Sequence, residues 1–314
     1  MEPEPIDSVL LIGFGGPTRP DEVVPFLRNV VEGRDVPRER LEEVARHYAA
    51  LGGRSPYNEQ TFTQASLLAV HLRERGAEIP VHVGMRNWEP LLWRTIARMG
   101  AAGLRSAAGV ILAAHRSPAS WDRYQQDVAL GLATAASLGP VPRVTYVEPW
   151  FADPGFLRAC AAQITAVTGI RAGAWPTGLP LIFTAHSIPM EMSRRCPYVE
   201  DVLTSCRGVA AILEAREWRL AYQSRSGDPS SAWLEPDICV VLRELAAAGH
   251  RRVVVQAIGF LTDHVEVLHD LDVQAGALAK ALGVEMLRAP CAGCHPELIA
   301  MLGHRILRLA GRAA

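Results

Sequence analysis

Residues 253–259, VVVQAIG, form a nearly unbroken apolar run rich in β-branched side chains. A run of this kind lacks the in–out alternation of a half-solvated strand, so it suits a strand buried on both faces of a parallel sheet. It predicts a strand over 253–259, ended by the turn Leu261-Thr262-Asp263, whose aspartate can cap the following helix. The first turn of that helix carries His264 and Glu266, and the second carries His269 and Asp270. Five titratable side chains thus leave the carboxyl end of one strand, where open α/β sheets place their ligands.

The same scheme repeats along the chain. Strands are predicted at 8–12, 81–85, 109–113, 141–147, 181–184, 219–223, 253–259 and 284–287, with helical stretches between them. This alternation predicts an α/β protein with two Rossmann-like domains built on parallel sheets. The domains are expected at 1–150 and 151–295, the C-terminal helix 296–314 packing on the first. Helix 154–168 and the Gly/Pro-rich stretch 169–180 read as the crossover between halves. Two echoes support a paired design. ILAAHRSP (111–118) and LIFTAHSIP (181–189) both place Ala-His after an apolar strand; LLIGFGGP (10–17) and VQAIGFLTDH (255–264) share Ile-Gly-Phe.

Composition removes whole classes of function. A net charge of −1 with both signs interspersed argues against nucleic-acid or membrane-surface binding by bulk electrostatics. No apolar run approaches the ~20 residues that span a bilayer. The start MEPEPIDS is not a signal peptide, and six irregularly spaced cysteines make no disulfide framework, so a cytoplasmic location is expected.

Several motifs compete for the chemistry. Gly13-Phe14-Gly15-Gly16 follows a strand, but Pro17 removes a donor and Thr18 occupies the third glycine position of a dinucleotide fingerprint. A tight turn near a ligand fits better. Cys291-Ala-Gly-Cys294-His295 spells a c-type haem attachment site, which needs an exported chain. The serious rival is His264-Val-Glu266 followed by Pro290-Cys291-Ala-Gly-Cys294, the signature of zinc deaminases. There His264, Cys291 and Cys294 would hold Zn²⁺ and Glu266 would move protons. Taken alone, His186 and His115 read as satisfied turn residues, and Arg46 as a helix-surface charge.

Taken in order, GFGGP, HYAALGGRSPYNEQT, GMRNWEP, TAHSIP, YQSRSGDPSSAWLEPD and GFLTDHVEVLHDLD resemble the ferrochelatase family over nearly the whole chain. That resemblance implies a chelatase-like pair of Rossmann-like domains with parallel sheets and an active-site cleft between them, and insertion of Fe²⁺ into a porphyrin in haem biosynthesis. His186 and Glu266 match the family's pair at the porphyrin centre, as proton acceptors and metal-binding groups, with Glu266 expected opposite His186 across the cleft. His264 and Asp270, with His269, would form a path for the cation.

LAAHRSPASWDRY resembles the form that metallates coproporphyrin III; a protoporphyrin IX enzyme is the alternative. In the coproporphyrin form Arg46, Ser55 and Tyr124 match propionate contacts, and Arg34 is a further candidate. Phe14 and Asn87 line the same substrate site but depart from the family, standing where a tyrosine and a histidine are common. Phe14, Trp88 and Met85 are expected to wall the flat ring.

The resemblance implies no resident cofactor, Fe²⁺ being substrate. A [2Fe–2S] cluster or Zn²⁺ on Cys291/Cys294 is disfavoured, because the cysteines Cys196, Cys206, Cys291 and Cys294 do not match the cluster spacing. Expected partners are porphyrin, ferrous iron and the next enzyme of the haem pathway; neither nucleic acid nor a membrane span is expected.

Overall fold

In a computed structural model, described over residues 5–33, 36–226 and 231–312, the chain forms two compact units. The first comprises residues 1–112, 121–148 and 299–314; the second comprises 113–120 and 149–298. The expected crossover, helix 154–168 with the stretch after it, therefore lies wholly inside the second unit.

The first unit carries strands β1 (Ser8–Gly13), β2 (Val81–Met85), β3 (Ser106–Ile111) and β4 (Arg143–Tyr146), all parallel, in the order β2-β1-β3-β4. Its helices are α1 (Val23–Val30), α2 (Arg38–Ala50), α3 (Tyr57–Glu74), α4 (Leu92–Ala101) and α5 (Arg123–Ala136). β3 begins three residues before its expected start because Ser106, Ala107 and Ala108 are small enough to be buried completely in the sheet.

The second unit carries β5 (Leu181–His186), β6 (Trp218–Gln223), β7 (Arg252–Gln256) and β8 (Glu285–Ala289), again parallel, in the order β6-β5-β7-β8. Around it run α6 (Pro154–Thr168), α7 (Met190–Ser193), α8 (Tyr198–Leu213) and α9 (Ile238–Ala247). Next come α10 (Val265–Val267) and α11 (Gly276–Ala281), and finally α12 (Pro296–Leu309), which runs on into the first unit.

Both sheets thus share one strand order, and each has its topological switch point between its two central strands: β1 and β3 in one, β5 and β7 in the other. The two sequence echoes do not follow this equivalence. Ala-His ends the third strand of the first sheet but the first strand of the second, and Ile-Gly-Phe is crossed the other way. What the echoes mark is the pair of strand ends flanking each switch point.

β7 is buried on both faces, Val253, Val254 and Val255 all lacking solvent exposure. On one face it meets α9 through Ile238, Val241, Leu242 and Leu245, a spacing of one helical stripe, and Val267, Leu271, Ala275 and Ala279 from the segment after it. β7 stops at Gln256, three residues before the expected end. There the chain turns, Ile258 N–H donating to Gln256 O (2.9 Å) and Gly259 N–H to Thr184 O of β5 (3.0 Å). Gly259 lies so close to β5 that a Cβ there would sit 2.6 Å from Ala185 Cα. Only glycine allows that seam, and it fixes the end of β7 against the residue before His186.

The single helix expected after Asp263 is also composite. Three α-helical residues, 265–267, give way to a wider π-helical segment over 268–275 and then to α11. Asp263 does not cap it: His264 does, its Nδ1 accepting from Glu266 N–H at 3.2 Å. Asp263 is instead drawn to the Arg288 guanidinium at 2.6 Å, a stronger charge-assisted partner than an amide.

Candidate functional site

At the switch point of the second sheet, the ends of β5 and β7 bring His186 and Glu266 together, with His186 Nε2 3.8 Å from Glu266 Oε2. The expectation of Glu266 across a cleft from His186 is corrected by this geometry. The two residues rise from neighbouring strands of one sheet, which is where a topological switch places adjacent strand ends.

The backbone at His186 is held firmly. Its carbonyl accepts from Tyr198 O–H (3.0 Å), Ser187 N–H donates to Gln223 O (2.8 Å), and Ser187 O–H donates to Leu234 O (2.9 Å). His186 Nδ1 lies 2.5 Å from Ser187 O. A carbonyl oxygen only accepts, so Nδ1 carries a hydrogen, and in the neutral form of the ring Nε2 is the free acceptor on the side of Glu266. Two acceptors then face each other with a gap that a proton or a cation fills. Val265 and Val267 are buried on either side of Glu266, which leaves the carboxylate half-exposed and aimed outward.

The residues of the expected cation path are engaged. His264 spends Nδ1 on the cap, and burial pushes its imidazole below the usual histidine range, against the pull of the Glu266 carboxylate. Asp270 pairs with His269 Nδ1 (3.2 Å) and accepts from the Ser224 hydroxyl. The Phe260 ring packs near both imidazoles, its centroid 6.2 Å from that of His186 and 5.2 Å from that of His264.

The zinc arrangement is not assembled. Among the described residues no three His, Cys, Asp or Glu side chains converge to hold a metal. Cys291 is buried, its thiol 3.8 Å from Ala257 O. Burial, reinforced by Asp263, pushes that thiol well above its ordinary range, and burial raises Cys294 as well. Zinc needs thiolates, and this packing favours thiols.

In the first unit the end of β1 is built from aromatic and amide groups. Phe14 N–H donates to the Tyr57 hydroxyl (2.8 Å) and Gly16 N–H to Asn58 Oδ1 (2.9 Å). Gly15 takes a left-handed φ of 85°, which makes the turn tight. With both amides satisfied from α3, this loop does not cradle a phosphate. Tyr124 hydrogen-bonds to Tyr57, and burial pushes the Tyr57 hydroxyl up to about 12.

Arg86 lies 6.0 Å from the Phe14 ring centroid and pairs with Asp127 at 2.9 Å; Arg123 holds the other oxygen of Asp127 at 3.1 Å. Asn87 is buried, its N–H donating to Phe14 O (3.0 Å) and its carbonyl accepting from Asn29 (3.0 Å). Ser55 and Tyr124 are each only 7% exposed, whereas Arg46 stands in solvent on α2.

Phe14 and Trp88 are half-buried, but Met85 has no exposed surface, because β2 turns it into the core against Gly13. It does not belong to a wall. Arg34 lies outside the described residues, as do 227–230 of the YQSRSGDPSSAWLEPD motif.

Sequence reasoning missed Tyr57, Arg86, Asp127 and Tyr198. Tyr57 and Arg86 lie inside motifs already singled out, yet a hydroxyl that caps a backbone amide 43 residues away leaves no local pattern. The Arg123–Asp127 spacing of i, i+4 was the available sign for the aspartate.

The family profile and the sequence relatives agree on one family. The family profile described as ferrochelatase matches residues 7–309. A ferrochelatase of Rhodopirellula baltica is 39% identical, covering 95% of this chain and 84% of its own. The coproporphyrin III ferrochelatase of Frankia alni is 40% identical (95% and 78% covered), and that of Streptomyces coelicolor 37% (99% and 87%). Among solved structures, SirB from Bacillus subtilis with Fe³⁺ superposes with a TM-score of 0.60 at 12% identity, covering 97% of this chain and 96% of that one, a likeness of fold alone.

Proposed function

The chain belongs to the ferrochelatase family, and from that premise we propose that it inserts ferrous iron into coproporphyrin III. The observation that carries the chemistry is the His186–Glu266 pair, two acceptors held 3.8 Å apart at the strand ends of the second sheet.

Metallation must strip water from Fe²⁺ and remove two pyrrole protons. The Nε2 lone pair of His186 accepts one proton, or holds the ion as a borderline nitrogen ligand. Glu266, held at the front of its short helix by flanking valines, takes the other proton or an oxygen-ligand position. Among the described residues no third His, Cys, Asp or Glu joins them to complete a coordination sphere, which suits passing a cation on over storing it. Asp270, His264 and His269 assist as the approach for iron.

On the porphyrin side, Arg46 supplies a solvent-facing guanidinium for a propionate, Ser55 and Tyr124 supply nearly buried hydroxyls, and Arg34 is a further candidate. Phe14 is the adjoining contact, and Asn87, buried and bonded to the Phe14 carbonyl, backs it. Phe14 offers no oxygen ligand, so in this chain the metal-binding work falls on His186 and Glu266.

Among the described residues no helix is long and apolar enough to cross a membrane. With its near-neutral, mixed-sign charge, we place the enzyme in the cytoplasm and the next enzyme of the haem pathway as recipient of its product.

The test is an anaerobic Fe²⁺ insertion assay with coproporphyrin III beside protoporphyrin IX. Faster insertion into coproporphyrin is expected. Equal or faster turnover of protoporphyrin sinks the substrate assignment, and a Soret shift without metallation of either points to a carrier.

A further inference from the structure

Arg288, near the end of β8, lies outside the six family motifs and is bonded to two aspartates. Its side chain is only 16% exposed, and its guanidinium is fully committed. Nε and Nη2 form a fork on Asp272, at 2.5 and 3.0 Å, while Nη1 meets Asp263 at 2.6 Å. These two aspartates bracket the segment that carries His264, Glu266, His269 and Asp270. Asp263 immediately precedes the capping histidine, and Asp272 lies two residues beyond Asp270. One cation therefore ties down both ends of the run that bears the metal-facing groups. The remaining contact of Asp263 is a longer one, from Cys291 N–H at 3.3 Å.

We propose that Arg288 is a positioning residue for metal insertion: its guanidinium braces Asp263 and Asp272 so that the His264–Glu266 turn holds its spacing to His186. The inference rests on the ferrochelatase reading of that pair. Its physical basis is the composition of the cluster. Two carboxylates share one guanidinium that is itself only 16% exposed, so without the cation they repel each other and each must find a new partner. Asp263 cannot turn away without dragging His264, whose ring caps Glu266 N–H. Freed, Asp263 also adds an oxygen ligand beside the path, which would retain a divalent ion that should pass through. Planar, bidentate geometry matters here, because a lysine could satisfy one aspartate but not both.

The experiment measures iron and porphyrin dependence separately, anaerobically, in the full chain. Arg288→Gln is expected to raise the KM for Fe²⁺ about tenfold, in the range typical of groups that orient metal ligands. The Soret shift on adding coproporphyrin should stay unchanged. Arg288→Lys should recover part of the loss. Should Arg288→Gln fail to fold, Asp272→Asn removes only the fork, at a half-exposed carboxylate, and is expected to raise the same KM by a smaller factor.

An unchanged KM for iron in the folded variants, with kcat falling only in step with melting temperature, would reduce Arg288 to a structural ion pair and overturn the proposal. A wild-type chain that inserts no ferrous iron overturns the brace together with the reading beneath it. An active wild type with indifferent variants overturns the brace alone.

Discussion

The two sheets have the same strand order and opposite chemistry. At the switch point of the first, the strand end presents Phe14, a glycine turn whose amides are satisfied by Tyr57 and Asn58, and a half-buried Arg86–Asp127 pair. At the switch point of the second, the corresponding place holds His186 and Glu266, facing each other with unused valence. One end is saturated with hydrogen bonds and shaped; the other is poised to exchange protons or a metal. Topology offers each half the same location. In the reading proposed above, the side chains make the first the gripping end and the second the reacting end.

That contrast breaks first at the reactive end. His186→Ala or Glu266→Gln should lower the rate of Fe²⁺ insertion by about 10²–10⁴-fold, the range for loss of a positioned acid or base, while the porphyrin Soret shift persists. Loss of porphyrin binding to the same degree would erase the division of labour.

His115 sharpens the contrast because it follows β3 of the first sheet but packs in the second unit. Its Nε2 meets the Ser205 hydroxyl at 2.9 Å, and burial pushes its imidazole from 6.5 down to about 4. The folded chain keeps this ring neutral where the unfolded chain takes up a proton. Stability is therefore full above the ordinary histidine value, is lost as pH falls from 6.5 towards 4, and is lost no further below that. The loss amounts to at most about 3 kcal/mol. Urea midpoints at about pH 7.5 and about pH 5 should differ more in the wild type than in His115→Gln. Equal differences would remove His115 as the cause.

On the gripping side the effects are milder. Arg46→Ala should weaken coproporphyrin by roughly 1.5–3 kcal/mol, the worth of a charge-assisted bond, and a porphyrin with fewer carboxylates by less. Titration of the Soret shift measures both, and identical losses count against a propionate clamp. The smallest effect is expected of Tyr57→Phe, which strips Phe14 N–H of its acceptor at a cost of about 1–2 kcal/mol in stability, read by thermal melting. An unchanged melting temperature would mean that Phe14 N–H finds another partner.

Much of this was legible in the chain. Apolar runs separated by helical stretches gave eight parallel strands close to their positions, because burial on both faces leaves a composition no other element needs. His186 and Glu266 were legible through the motifs around them. Their placement in one sheet was not, since strand order depends on which strands pair at long range. The cap was misread for a similar reason. Asp263 is the better local capping residue, but Arg288, 25 residues later, offers it a charge, and His264 inherits the amide. Met85 looked like a wall residue because its motif surrounds it with one, yet strand parity turns it inward. The zinc signature misled through pattern alone, for its histidine and cysteines never converge.

The seam at Gly259 has one more consequence. The hydrogen bond from Gly259 to Thr184, and the absence of a side chain between them, make the interval from His186 to the Glu266 turn a property of the main chain. The site behaves as a fixed gauge. Outer helix faces can drift in sequence without altering it, and an engineer seeking a chelatase for a larger ion would have to re-space two strand ends before repainting any ligand.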